Sequence, residues 1–334
     1  RSRSQIEDVF WSGLGDGLRQ AGRNLRTAFR DPQSPAAKRV AVLMAEALHA
    51  AQSTTLAVGP RSAAVKRLGY DDFANSRVAL TELLNAADAQ PVQIAAVKAL
   101  SGYTHAEVPK ALLATWPSYT PAVREEVLAA LLARRERVGA LLTAIEAKIV
   151  SAGQVSAARR TQIMANPDAK IKARAELAFG QAPSASRREA VERFQGALAL
   201  KGDASRGARV YDNVCAACHR FAGRGIDLGP NLETIRGWDR EKLLLNILDP
   251  NREVATSYIA YEIELKDGSA VAGMIAEENA GSIKVKRIGA PEETILRQNI
   301  AKITSAAVSL MPEGLEAAIP PQDMADLLAF LASP

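Results

Sequence analysis

Along residues 1–180 the apolar positions recur with helical spacing, and one short pattern returns at a nearly fixed interval. P-R-S-A-A-V-K-R-L carries Val65 and Leu68, P-V-Q-I-A-A-V-K-A-L carries Val97 and Leu100, and P-A-V-R-E-E-V-L-A-A-L carries Leu128 and Leu131. The steps are 32 and then 31 residues. Each copy opens on a proline (Pro60, Pro91, Pro121) at a predicted first helical turn, where the missing N–H removes no hydrogen bond. One helix pair cannot bury its apolar stripe alone, so a period of this size predicts helix pairs stacked on one another. An irregular helical bundle is the competing expectation.

The breaker-rich stretch F-G-Q-A-P-S-A-S at 179–186 predicts the end of this part, followed by a linking helix over 186–200. From Lys201 the texture changes. Residues 204–218 predict a helix with Ala204, Ala208 and Tyr211 along it, then a glycine-rich loop over 223–230 and a helix over 239–248. The period then switches to two. Y-I-A-Y-E-I-E-L, Asp267-Gly268 and A-V-A-G-M-I predict a hairpin, and S-I-K-V-K and E-T-I-L two more strands. Q-D-M-A-D-L-L-A-F-L, opened by Pro320 and Pro321, predicts a closing helix. The expected fold is mainly α: an α-solenoid over 1–185, the linking helix, and a second domain over 201–334 carrying a β-rich insertion, a small sheet or barrel, at 255–304. The repeat lacks the W-x-x-L-G of tetratricopeptide repeats, so a short HEAT-like repeat fits better.

Composition narrows the class. Apolar residues make up 48% and charged residues 24%, which excludes wholesale disorder and collagen; 5% aromatics suits close helix packing over a large β-sandwich. The longest apolar stretch, 40–51, is broken by Glu46 and His49 and is too short to span a bilayer. R-S-R-S-Q-I-E-D at the start offers no apolar run for a signal peptide. Residues 1–200 carry a net charge of +9 and residues 201–334 a net charge of −4. No aromatic-interleaved basic stripe points to nucleic acid.

The chemistry concentrates in C-A-A-C-H, where Cys215 and Cys218, the chain's two cysteines, precede His219. This is the attachment pattern of a c-type haem. Cysteines three apart sit on one face, near the two vinyl groups of a porphyrin, and the adjoining histidine lies beneath the iron. A thiol–disulfide site wants a thioredoxin-like context, which is missing. Zinc needs further ligands, and the other histidines, His49 and His105, lie in the helical half. G-P-N-L follows at Gly229, and Pro230 is positioned to accept the His219 Nδ1–H. Met311, in S-L-M-P before the closing helix, is the expected sixth ligand, with Met324 or an open position as alternatives. His219 and Met311 are 92 residues apart; the β-rich insertion accounts for 50, and the remaining 42 suffice to wrap a haem. Arg224, Arg236 and Trp238 are candidate donors to the haem propionates. On the closing helix Leu327, Leu328 and Phe330 are expected to cross the opening helix at Gly207 and Tyr211.

V-Y-D-N-V-C-A-A-C-H-R-F, G-I-D-L-G-P-N-L, L-L-N-I-L-D-P-N-R-E-V, S-L-M-P-E-G-L and D-M-A-D-L-L-A-F-L together resemble the haem-binding C-terminal domain of many planctomycete and verrucomicrobial proteins. V-R-E-E-V-L-A-A-L-L-A-R and N-P-D-A-K-I-K-A-R-A resemble the HEAT-like segment that precedes it there, and the resemblance covers most of 35–334. It implies a class I-like monohaem cytochrome c, with Cys215, Cys218 and His219 matching the attachment motif and Met311 the methionine loop. Many members carry an upstream β-propeller resembling quinone-dependent sugar dehydrogenases; this sequence contains none. The implied role is electron transfer rather than catalysis, in the periplasm or another extracytoplasmic compartment, with a redox protein or an upstream dehydrogenase domain as partner. The chain is then expected to be the mature or excised part of a longer precursor. The rivals are a peroxidase-like haem enzyme with an open sixth site and a helical scaffold without haem.

Overall fold

The structure, a computed structural model, describes residues 3–180 and 187–333. Its first part is helical throughout: α1 (Arg3–Gln20), α2 (Leu25–Ala28), α3 (Pro35–Gln52), α4 (Val58–Leu68), α5 (Phe73–Glu82), α6 (Gln90–Ser101), α7 (Val108–Leu113), α8 (Pro121–Leu132), α9 (Arg135–Glu146), α10 (Ala157–Met164) and α11 (Ala169–Phe179). The three prolines fall in the first turns of α4, α6 and α8. Those three helices lie side by side, while α5, α7, α9 and α11 form a second row. Val65, Leu68, Val97, Leu100, Leu128 and Leu131 are buried in one continuous core between the rows. The 32-residue period works because each helix meets the helix two places along, so every repeat supplies its neighbour with an apolar face.

Of the expected boundary at 179–186, residues 181–186 lie outside the described residues, as does the first position of the linking helix at Ser186. The helix beyond it is shorter than the one expected over 186–200: α12 (Arg188–Phe194) gives way to a tight 3₁₀ turn at Gln195–Leu198. Gly196, inside that turn, disfavours continuing the helix.

The remaining helices are α13 (Ala204–Val214), α14 (Arg240–Leu248) and α15 (Pro321–Leu331). α13 and α15 make the closest helix pair of this part. The contact depends on Gly207: a Cβ built there would lie 2.0 Å from the Asp326 carbonyl oxygen. Tyr211 meets Phe330 with ring centres 5.5 Å apart, and Phe221 meets Phe330 edge-on at 5.2 Å. Asp326 is fully buried and accepts from Arg206 Nε at 2.6 Å and from the Asp203 N–H at 2.8 Å. The Arg206 guanidinium holds its carboxyl below the ordinary 3.8, with the backbone and Gln322 donors helping and burial opposing. A depressed carboxyl stabilises the fold above its unfolded value and loses that contribution as pH falls through the folded one. The unfolding free energy is therefore expected to fall more steeply below about pH 4 in the native protein than in Asp326→Asn. Urea titrations at pH 5 and pH 3 check this.

Two short strands, β1 (Arg220–Phe221) and β2 (Arg224–Gly225), form a hairpin after α13. The β-rich insertion is an open antiparallel sheet of β3 (Ile259–Leu265), β4 (Ala270–Glu278), β5 (Ser282–Arg287), β6 (Ala290–Leu296) and β7 (Ile300–Ser309), in the order β6-β5-β4-β3-β7. The Asp267-Gly268 turn joins β3 to β4, with Gly268 at φ +87° where a side chain would be strained. β7 continues to Ser309, five residues past the expected end at 304, because it pairs along the length of β3.

The sheet does not stand on its own. One face, with Ile259, Tyr261, Ile263, Ile275 and Val285, shares an apolar cluster with Ala86 of the helical part. Tyr261 Oη donates to the Tyr119 carbonyl at 3.1 Å, and Arg297 donates to the Ala86 and Asp88 carbonyls at 3.3 and 3.4 Å. The Glu278 carboxylate accepts the Ala122 N–H at the start of α8 at 2.8 Å. On the other face Met274 has Ala260 and Lys286 as cross-strand partners.

Candidate functional site

The cysteine motif lies just beyond the end of α13. The helix stops at Val214, short of the expected 218, because Cys215 and Ala216 both donate to the Tyr211 carbonyl. The chain then turns once more, with the Cys218 and His219 N–H groups donating to the Cys215 carbonyl at 3.0 and 2.9 Å. Tyr211 Oη donates to the His219 carbonyl at 2.6 Å, tying the motif to the aromatic core beneath it. The following loop folds back over it: Leu228 N–H and Gly229 N–H both donate to the Cys218 carbonyl. Gly225 permits this approach, since a Cβ there would lie 1.9 Å from the His219 carbonyl oxygen.

His219 Nδ1 is 2.8 Å from the Pro230 carbonyl oxygen. A carbonyl only accepts, so the proton resides on Nδ1 and Nε2 keeps its lone pair. Burial lowers the His219 pKa below 6.5, against the opposing pull of the Pro230 bond, so the ring is neutral at pH 7 and able to ligate. Burial also pushes the Cys215 thiol up to about 12 and raises Cys218. Thiol–disulfide sites need the opposite shift, toward thiolate. Among the described residues no group of three or more His, Cys, Asp or Glu side chains is arranged to hold a metal ion.

Cys215, Cys218, His219, Pro230 and Met311 all line one cleft, which encloses about 730 Å³ of empty space including its open mouth. Met311 sits in a bend at the end of β7, where its N–H donates to Ser309 Oγ at 3.0 Å. Leu228, Leu310 and Leu315 complete the apolar walls, and the β-rich insertion adds Met274 from β4, Tyr258 from the turn before β3 and Ile288 from the β5–β6 turn. Among the described residues the lining contains no carboxylate, ammonium or guanidinium group. Two thiols, a neutral imidazole nitrogen and thioether sulfurs in an apolar slot are the donor set a haem requires, and the site fits that group.

Three of the expected contacts are elsewhere. Arg224 pairs with Asp212. Arg236 bonds Glu233 and, at 2.9 Å, the Ser333 carbonyl, and lies 4.7 Å over the Phe221 ring. Trp238 packs on the core of this part with the Lys242 ammonium 3.5 Å over its ring. None of the three lines the cleft. Met324, the alternative ligand, lies on α15 wholly buried in the core and does not line the cleft. Tyr258, Met274 and Ile288 of the β-rich insertion are the part sequence reasoning missed. A signal existed for Met274: it is an apolar side chain on the phase of β4 opposite to Ile275, where a polar one belongs.

Residues 204–276 match the family model of cytochrome c. The match runs from α13 into β4 and stops short of Met311. No curated protein matches the chain. With the C-x-x-C pair at 215 and 218 inside it, the cytochrome c segment carries a covalently bound haem c. No helix of the described residues is long and apolar enough to cross a membrane.

The cytochrome segment also holds a tight steric check on its histidine. A Cβ at Gly229 would lie 2.7 Å from His219 Cε1 and 3.0 Å from Nδ1. Gly229→Ala is expected to tilt the imidazole away from the Pro230 carbonyl. Optical spectra of the haem-loaded variant should then differ from those of the native protein by a larger high-spin, carbon monoxide-sensitive fraction.

Proposed function

We propose that this protein transfers electrons through one covalently bound haem, with His219 and Met311 as axial ligands. The observation that carries the reading is the convergence of Cys215, Cys218, His219, Pro230 and Met311 on one apolar cleft from separate stretches of chain. When bound, the haem supplies an iron that cycles between ferrous and ferric. The protein's own part is to keep that iron six-coordinate. Pro230 fixes the His219 tautomer and ring plane, and Asn251 holds the methionine loop. Asn251 Oδ1 accepts the Ser309 N–H at 2.8 Å, while its Nδ2 donates to Glu313 at 2.7 Å. The apolar walls favour the less charged ferrous state and keep water off the metal.

On this reading the protein works outside the cytoplasm, where c-type haems are attached, as a module of a dehydrogenase or a separate partner to one. The helical part, read as a HEAT-like solenoid, is the spacer or docking surface. The net charge of +9 over residues 1–200 faces a partner surface differently from the −4 of residues 201–334. A peroxidase-like reading is less well supported, since the cleft lining offers no acid–base side chain besides the two cysteines, His219 itself and Tyr258.

A second assignment of the sixth ligand has one observation in its favour: Met274 lines the same cleft and is 4% exposed. Proton NMR of the ferrous protein tests the choice, because the haem ring current shifts the methyl group of a ligating methionine far upfield. That resonance is expected to vanish in Met311→Ala and persist in Met274→Leu. The reverse pattern transfers the role to Met274, and no such resonance in the native protein overturns methionine ligation.

A further inference from the structure

The haem cleft does not end at its apolar walls. Leu228, Gly229, Tyr258 and Met274 also line a second pocket, whose other lining is Asn231, Ser257, Ala276, Lys286 and Asp227, the last with its carboxylate paired to Arg220 at 3.2 Å. A haem is amphipathic: its porphyrin plane is apolar, but one edge bears two propionate carboxylates. The apolar cleft has no cation to receive them, and an unpaired carboxylate taken out of water is costly. Among the described residues Lys286 is the only cation lining the adjoining pocket. It stands directly across from Met274 on the face of the sheet turned away from the Ile275–Val285 core. Its side chain is three-quarters buried. Its ammonium donates to the Asp227 carbonyl at 3.2 Å and to Glu292 at 3.0 Å, which leaves a third N–H.

We infer that this second pocket is the propionate end of the haem site, with Lys286 and the hydroxyls of Ser257 and Tyr258 receiving the carboxylates. The inference rests on the haem reading above. It makes the inserted sheet part of the cofactor site: the sheet supplies one wall through Met274 and the compensating charge through Lys286. The arginines and tryptophan expected in that role are engaged elsewhere. The charges around Lys286 are Asp227 on the loop after β2, Glu292 on β6, and Lys284 on β5, which is itself bound to Glu277 and Glu292. Because the ferric haem carries one more positive charge than the ferrous, an ammonium beside it favours reduction. Removing that ammonium, and leaving a propionate uncompensated, both favour the ferric form.

The test uses the full-length holoprotein made with haem-maturation machinery. It compares Lys286→Gln, Lys286→Arg and Tyr258→Phe with Lys302→Gln, a change of an exposed β7 lysine paired with Glu264. The readouts are the midpoint potential at one fixed pH and the propionate bending band in the resonance Raman spectrum. Lys286→Gln is expected to lower the potential and shift the band. Lys286→Arg should restore most of both, Tyr258→Phe should shift the band alone, and Lys302→Gln should change neither. An unchanged potential and band in Lys286→Gln with normal haem content overturns the inference while leaving the haem reading intact. If Lys286→Gln fails to fold, an unshifted band in Tyr258→Phe overturns it. A native protein without covalent haem overturns both.

Discussion

Replacing Met311 with alanine is expected to lower the midpoint potential of the haem by about 0.1–0.3 V, a sizeable part of the roughly 0.8 V that axial ligands span. A thioether is a soft donor that stabilises ferrous iron relative to ferric, and paired with histidine it sets a high potential. Alanine leaves the position to water, a harder donor, and opens it to exogenous ligands. The loop itself should survive the change. It is held by backbone and side-chain bonds at Ser309, Asn251 and Glu313, none of which involves the methionine side chain. A spectroelectrochemical titration gives the shift, and carbon monoxide binding to the reduced variant gives the open position. An unchanged potential with no gas binding would remove Met311 from the site.

The second large effect concerns the frame rather than the cofactor. Gly207→Val is expected to destabilise the protein by about 3 kcal/mol, the upper end of what overpacking usually costs. The cost is high because the obstacle is backbone. The Asp326 carbonyl oxygen and carbon lie 2.0 and 2.5 Å from where the new Cβ must go, and α15 can retreat only by giving up other contacts. Those are the Arg206–Asp326 pair and the packing of Tyr211 against Phe330. Gly196→Ala is the control. Nothing lies within 4 Å of its added Cβ, and its effect should be within about 0.5 kcal/mol. Urea unfolding followed by far-ultraviolet circular dichroism measures both. Equal midpoints for the two variants would mean that α13 and α15 do not pack through Gly207.

What the sequence conveyed best were features whose cause is local. Val65, Val97 and Leu128 repeat because each must fill the same gap between helices, so their spacing reports a stack directly. The cysteine motif is legible because thioether chemistry demands fixed spacing, and Pro230 because the His219 bond spans only eleven residues. Gly207 and Tyr211 were readable as a crossing because a glycine opposite bulky apolar residues implies close approach. The misses are long-range. Nothing in S-I-K-V-K announces that Lys286 will face Met274, since that depends on strand register, and nothing in Y-I-A-Y-E-I-E-L shows that Tyr261 will bond Tyr119. Periodicity told which residues of the sheet are apolar, but not that its two faces serve two different neighbours. The partners of Arg224 and Arg236 were not legible for the same reason: a nearby arginine has several partners within reach, and here Asp212, Glu233 and the Ser333 carbonyl take them.

The most direct test of the central claim is a visible absorption spectrum of the full chain expressed with haem-maturation machinery, oxidised and then reduced with dithionite. It is to be paired with a haem-stained denaturing gel. A coloured band that survives denaturation, with sharp low-spin bands on reduction that carbon monoxide does not alter, is the predicted result. A colourless denatured band, or a high-spin spectrum that carbon monoxide shifts, would contradict it.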